Sequence, residues 1–185
     1  MKKVMYISFS RKRDIINTNY LEQVASDCGV YFVYKYIGFP RQIKPLLTSE
    51  EINNCDYIIF DTDINNDVFD VSYNYRDFLF EKDEPRRVVL KDIKQYIDYP
   101  KSIIICDCSN SFTQPMIDVF TNSRGYVAMN EKISCTDNSI FFIKLFEELF
   151  INNLDIETAL KKVNIDLPVS SSYKYIKGKY YNENQ

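Results

Sequence analysis

The chain of 185 residues has no histidine, no tryptophan and only 4 glycines. Imidazole is the usual base for a nucleophilic thiol because its pKa lies near neutrality, so the sequence lacks the standard partner for cysteine catalysis. The segment that follows the first predicted strand, Ser8 to Lys12, contains no glycine, which excludes Rossmann and P-loop phosphate-binding fingerprints. Apolar runs are far shorter than a membrane span requires.

What is present is typical of a globular protein: 45% hydrophobic and 26% charged residues, with 15 Tyr and 13 Phe. The net charge of -3 gives no reason to expect nucleic-acid binding. The start of the sequence has no signal-peptide pattern, and the 5 cysteines have neither disulfide-framework nor zinc-site spacing. We therefore expect a cytoplasmic protein with no cofactor or bound metal, and with neither nucleic acid nor a membrane as its partner.

Strand-like and helix-like patterns alternate along the chain, and this alternation predicts βαβ units. Strands are expected at residues 4–9, 30–37, 57–60, 102–106, 125–129 and 173–176. Helices are expected at residues 14–28, 46–53, 90–97, 115–121, 138–151 and 155–163. A polar loop is expected at 61–67 and a small hairpin within 68–89. The predicted fold is a three-layer α/β sandwich with a mostly parallel sheet and helices on both faces, as one domain over residues 1–180 with a polar tail at 181–185.

Cys108 lies where a buried parallel strand passes into a loop, which is a typical position for a nucleophile. The backbone amides of the next residues, Ser109, Asn110 and Ser111, are candidates for an oxyanion site. The alternative is that Cys106 and Cys108 are small buried hydrophobes at a strand end.

Asp61, Asp63 and Asp107 follow neighbouring predicted strands, so we expect these carboxylates to gather at one edge of the sheet as a binding surface. They are candidates for a divalent-cation site or for a carboxylate base. Polar capping of the sheet edge is the simpler interpretation, because oxygen-rich metal sites need more ligands at defined spacing.

The last predicted strand is rich in tyrosine and lysine, with Tyr173, Lys174, Tyr175 and Lys177 close together. This composition is compatible with stacking and charge for nucleic acid. An edge strand whose lysines discourage aggregation is the simpler explanation.

The order of these segments over residues 53–180 resembles the caspase-like cysteine peptidases of the CHAT type. Residues 56–63 resemble the strand that ends in the family's Gly-His-Gly-like turn, with Thr62 at the histidine position. Residues 103–111 resemble the nucleophile strand and loop, with Cys108 at the nucleophile position but without the family's usual following glycine. Residues 142–150, 154–160 and 173–178 resemble the last helices and the closing strand of the family.

This resemblance implies a degenerate, non-catalytic caspase-like domain that acts by binding a protein or peptide partner. One alternative is an active cysteine peptidase in which Asp61 or Asp63 serves Cys108 as a base. The other is a TIR-like or flavodoxin-like nucleotide-sensing domain, because residues 4–10 and 55–60 are similar to the opening of TIR-type domains. The Trp-Cys-x-x-Glu-like helix of TIR domains is absent.

Overall fold

A six-stranded sheet with helices on both faces forms the central part of the protein. The structure is a computed structural model, and it describes residues 1–9, 14–65, 68–70, 87–108, 110–131, 133–167 and 172–181. No helix within these ranges is long and apolar enough to cross a membrane.

The elements follow one another in the alternating order that the sequence predicts. The strands are β1 (Lys3–Ser8), β2 (Tyr31–Tyr36), β3 (Tyr57–Asp61), β4 (Asp63–Asn65), β5 (Val68–Asp70), β6 (Arg87–Val89), β7 (Tyr99–Asp107), β8 (Ser123–Met129) and β9 (Tyr173–Lys177). The helices are α1 (Asp14–Asp27), α2 (Ile43–Leu47), α3 (Glu50–Asn53), α4 (Leu90–Ile93), α5 (Gln114–Phe120), α6 (Cys135–Phe146) and α7 (Ile156–Asp166). A π-helical turn, Glu147–Ile151, extends α6, and short 3-10 turns occupy Pro40–Gln42 and Lys94–Tyr96.

The strand order of the main sheet is β2-β1-β3-β7-β8-β9. The first five strands in this order run parallel, and β9 pairs with β8 in the antiparallel direction. Because parallel neighbours require crossover connections, helices cover both faces of the sheet. The predicted three-layer α/β sandwich is thus confirmed.

Each face of the sheet has its own apolar core, because successive side chains of a strand point to opposite sides. One core joins the strands to α2, α3, α4 and α5, with Met5, Ile58, Ile104 and Phe120 among its members; we call this side the α5 face. The other joins them to α1, α6 and α7 and includes Phe142; we call it the α6 face.

Local sequence signals explain several helix ends. Ser49, Ser134 and Asp155 are N-caps whose side-chain oxygens accept backbone N–H bonds of α3, α6 and α7. Thr113 holds the N-cap position of α5, but its hydroxyl makes no capping bond.

A small antiparallel sheet, β4-β5-β6, follows the end of β3. The prediction of a loop throughout 61–67 was therefore wrong, since Asp61 completes β3 and Asp63–Asn65 pairs with Val68–Asp70. β5 pairs with β6 in the antiparallel direction, and residues 71–86, where the turn of the predicted hairpin falls, lie outside the described ranges.

Candidate functional site at the carboxyl ends of the strands

The end of β7 carries the predicted nucleophile, Cys108. Side chains alternate across the sheet here, so Cys106 and Cys108 belong to the core of the α5 face, whereas Asp107 reaches residues of the α6 face. Cys108 is 1% exposed and shares its apolar cluster with Phe120 and Tyr126. The thiol is therefore inside the core rather than in the loop above the sheet.

The surroundings of Cys108 favour the neutral thiol. Burial raises its pKa well above the ordinary value, and the neighbouring Cys106 thiol and Asp107 carboxylate raise the pKa further. A hydrogen bond with Ser111 acts in the opposite direction but is the smallest of these effects. Because the thiolate is the reactive form, Cys108 is a poor nucleophile at neutral pH.

Thr62 follows the end of β3 just as Cys108 follows the end of β7. The two strands are in register, with Asp61 opposite Asp107, so Thr62 and Cys108 are each the first residue beyond a matched strand end. Thr62 is 1% exposed, and its hydroxyl has no proton-accepting capacity comparable with imidazole near neutral pH.

Two predicted carboxylates do meet at this edge of the sheet. Ser8, Asp61 and Asp107 are register partners on β1, β3 and β7, and all three side chains are buried. The Ser8 hydroxyl donates to Oδ2 of Asp61 at 2.9 Å. The backbone of Asp63 begins β4, while its side chain lies outside the described part of the structure.

The Asp107 carboxylate is held by side chains from three other elements. Asn138 Nδ2 on α6 donates to Oδ1 of Asp107 at 2.7 Å, and the Tyr6 hydroxyl on β1 donates to Oδ2 at 3.3 Å. The Tyr173 hydroxyl on β9 donates to Oδ1 of Asn138 at 2.6 Å and lies 3.4 Å from Asp107 Oδ1. The Tyr173 ring stacks on Phe141 with ring centroids 3.9 Å apart. We call Tyr6, Asp107, Asn138 and Tyr173 the Asp107 cluster.

The surroundings of Tyr173 in this cluster disfavour its ionisation. Burial raises the pKa of Tyr173 well above its ordinary value, and the nearby Asp107 charge adds to the effect. Tyr173 therefore remains a hydrogen-bond donor across the physiological pH range. The arrangement ties β1, β7, α6 and β9 together.

Among the described residues, no group of three or more Cys, Asp and Glu side chains is placed to hold a metal ion.

The loop after Cys108 contains the predicted oxyanion residues. Asn110 is exposed and has a left-handed backbone with φ of 60°, which asparagine adopts more readily than most residues. Ser109 lies outside the described ranges. Ser111 turns inward, and its Oγ accepts the Met129 backbone N–H at 2.7 Å, which fastens the loop to β8.

A groove of about 250 Å³ runs between α7 and the edge strand β9. Its lining includes Glu157, Lys161, Asn164, Lys174, Tyr175 and Lys177. We call this surface the β9 groove. From the sequence, the lysines of this strand were expected to discourage aggregation or, less simply, to accompany stacking on nucleic acid, and a groove beside them was not predicted.

Sequence reasoning also missed Tyr6, Asn138 and Tyr173 as partners of Asp107. A signal was available for the two tyrosines, Tyr6 within the apolar first strand and Tyr173 at the start of the last strand, because a buried tyrosine hydroxyl usually has a hydrogen-bond partner. The fold and this site define an α/β three-layer sandwich with a polar cluster at the carboxyl ends of its central strands. Neither a protein-family model nor a curated protein sequence matches the chain.

Proposed function

We propose that the protein is a non-catalytic domain of the caspase-like type that acts by binding a protein or a peptide. The observation that carries the proposal is the burial of Cys108 beside the end of β3, where Thr62 stands at the position that the resemblance to caspase-like peptidases assigns to the catalytic histidine. A nucleophile must reach its substrate and be deprotonated, and Cys108 meets neither requirement.

The closing strand supports the caspase-like part of the proposal. The five parallel strands β2-β1-β3-β7-β8 have the 2-1-3-4-5 order of flavodoxin-like sheets. A sixth strand, β9, adds to that order in the antiparallel direction, at the place where the resemblance to the caspase-like family expects a closing strand.

The carboxylates at the sheet edge also fit a non-catalytic role. Asp107 accepts hydrogen bonds from Asn138 and Tyr6, and Asp61 accepts one from Ser8. Carboxylates engaged in this way orient and fasten neighbouring elements, and their ordinary pKa is far below that of a thiol. In an active peptidase with Asp61 as the base, a carboxylate of low pKa would have to deprotonate a buried thiol of much higher pKa.

Cleavage of a mixed peptide library by the wild type and by Cys108→Ala tests the non-catalytic half of the proposal. We expect neither protein to cleave any peptide. Residue-resolved alkylation of the native protein serves as a control: half-buried Cys28 reacts before Cys108, and Cys108 reacts only when the protein unfolds. Cleavage by the wild type that disappears in Cys108→Ala would contradict the proposal.

A further inference from the structure

The outer side of β9 is oriented to pair with another strand. The Asn130 N–H donates to the Ser172 carbonyl at 2.8 Å, and the Gly178 N–H donates to the Arg124 carbonyl at 3.2 Å. In an antiparallel pair, residues that bond to the neighbouring strand alternate with residues that face away. The peptide groups of Tyr173 and Tyr175 therefore face away from β8, and within the described ranges β9 is the last strand of the sheet.

β9 is firmly attached to the protein along its inner side. Tyr173 is buried and stacks on Phe141 of α6. The Tyr175 ring lies over Gly125 of β8, where an added Cβ would be 2.5 Å from the ring. A strand held this way offers a rigid template, which lowers the ordering cost of an incoming segment.

The β9 groove is basic although the chain as a whole is acidic. Three lysines and one glutamate line it, a local charge of +2 (3 − 1), whereas the net charge of the chain is -3. Lys161 Nζ bonds to Glu157 Oε1 at 2.8 Å, so these two charges largely compensate each other. The other two lysines, Lys174 and Lys177, are exposed on β9 itself, and Lys177 Nζ lies 4.3 Å from the centre of the Tyr181 ring.

We infer that the β9 groove binds an acidic, extended peptide segment of a partner protein, which adds to the sheet as a seventh strand beside the six present. This inference rests on the proposed binding function and names its ligand. Main-chain hydrogen bonds to the edge strand supply affinity in this mode of recognition, and charges beside the strand supply specificity.

The same lysines make a second copy of the chain a poor occupant. Edge-to-edge pairing of β9 with its own copy would bring together Lys174 and Lys177 from both molecules, and like charges on paired strands repel. An acidic segment meets the opposite situation, because the charges that exclude self-pairing attract it.

The test begins with selection from a displayed library of random dodecapeptides, followed by fluorescence anisotropy on a labelled acidic probe, (Thr-Glu)4, and its neutral (Thr-Gln)4 and basic (Thr-Lys)4 counterparts. We expect acidic sequences to be enriched and (Thr-Glu)4 to bind most tightly of the three. Its affinity should fall roughly tenfold in Lys174→Glu/Lys177→Glu, because two attractions become repulsions. The matched control Lys91→Glu/Lys101→Glu makes the same charge change at two exposed lysines elsewhere and should retain most of the binding.

N-methylated probes distinguish strand pairing from simple charge attraction. In an added strand only alternate N–H groups face β9, so methylation of all Thr or of all Glu nitrogens should abolish binding in one case and spare it in the other. Equal effects of the two methylated probes would overturn the inference. Enrichment of non-acidic peptides, insensitivity to the β9 substitutions, or binding of a single-stranded oligonucleotide in preference to every peptide would overturn it as well.

The failure of the inference and the failure of the proposed function have different results. Peptides that bind elsewhere, or that bind without acidic preference, overturn the β9 assignment and leave a peptide-binding domain. A library from which no peptide of any composition is enriched counts against both. Circular dichroism of each variant establishes that the exposed substitutions leave the fold intact.

Discussion

The last residue of β7, Asp107, and the residue after it, Cys108, lie in opposite environments. Asp107 lies in a hydrogen-bonded cluster with Tyr6, Asn138 and Tyr173, on the face covered by α6. Cys108 lies one residue further along, in the apolar core of the α5 face. One step along a strand thus separates a polar cluster from a dry interior.

This difference shows why position at a strand end does not by itself make a nucleophile. The carboxyl ends of parallel strands are the usual place for ligands in α/β sheets. The side that a residue faces decides whether it is available there. In this protein the alternation of side chains across the sheet directs the Asp107 carboxylate towards polar partners and the Cys108 thiol into the core. Cys108 is therefore not placed to act as the nucleophile expected from the sequence.

A carboxylate placed at residue 108 is the strongest test of the difference between the polar surroundings of Asp107 and the apolar surroundings of Cys108. We expect Cys108→Asp to lower the free energy of unfolding by about 3–5 kcal/mol, because a buried charge without a partner is left in the core. Urea denaturation followed by circular dichroism measures the change. Cys108→Ala is the matched control and should cost only about 1–2 kcal/mol. If both substitutions cost the same, residue 108 is in contact with water and the contrast is wrong.

Removing one hydroxyl from the polar side should have an intermediate effect. In Tyr173→Phe the Oδ1 atom of half-buried Asn138 loses the donor that lies 2.6 Å from it, and the loss of one such hydrogen bond costs about 0.5–1.5 kcal/mol. Tyr175→Phe removes the hydroxyl of a half-buried tyrosine on the same strand and should change stability by less than about 0.5 kcal/mol. Equal losses in these two variants, measured by thermal unfolding, would show that the cluster adds nothing specific.

The sheet and its helices were predictable because their signals are local. The apolar run Ile103, Ile104 and Ile105 indicates a strand buried on both faces, and the cap residues Ser134 and Asp155 mark helix starts. The same run hides the side that each residue faces, because every position in it is apolar. Nothing in the local pattern therefore decided which of Asp107 and Cys108 would enter the core.

The Asp107 cluster was not predictable for a related reason. Its members are separated along the chain by 101 residues for Tyr6, 31 for Asn138 and 66 for Tyr173. Only the tertiary fold brings them together, because β9 closes the sheet beside β8 and α6 packs on the face of the sheet towards which Asp107 points. The β9 groove depends on the same closure, since α7 must pack beside β9 to form its second wall.

The smallest effect that tests the burial of Cys108 is a change in how steeply the free energy of unfolding falls at alkaline pH. Burial raises the pKa of both Cys108 and Tyr126 on the α5 face well above their ordinary values of 9.0 and 10.0. The unfolded chain releases these protons at lower pH than the native state does, so the stabilisation is complete below the unfolded pKa and is lost as pH rises above it.

Each such group adds a slope of about 1.4 kcal/mol per pH unit above its unfolded pKa. Cys108→Ala removes one of these groups, so between about pH 9.5 and 11 its stability should fall less steeply than that of the wild type by up to that amount. Ser111→Ala, a neighbour of Cys108 that does not titrate, should retain the wild-type slope. A wild-type slope in Cys108→Ala would mean that the thiol ionises as easily in the native protein as in the unfolded chain, and residue 108 would then have to be open to solvent on the same side as the loop.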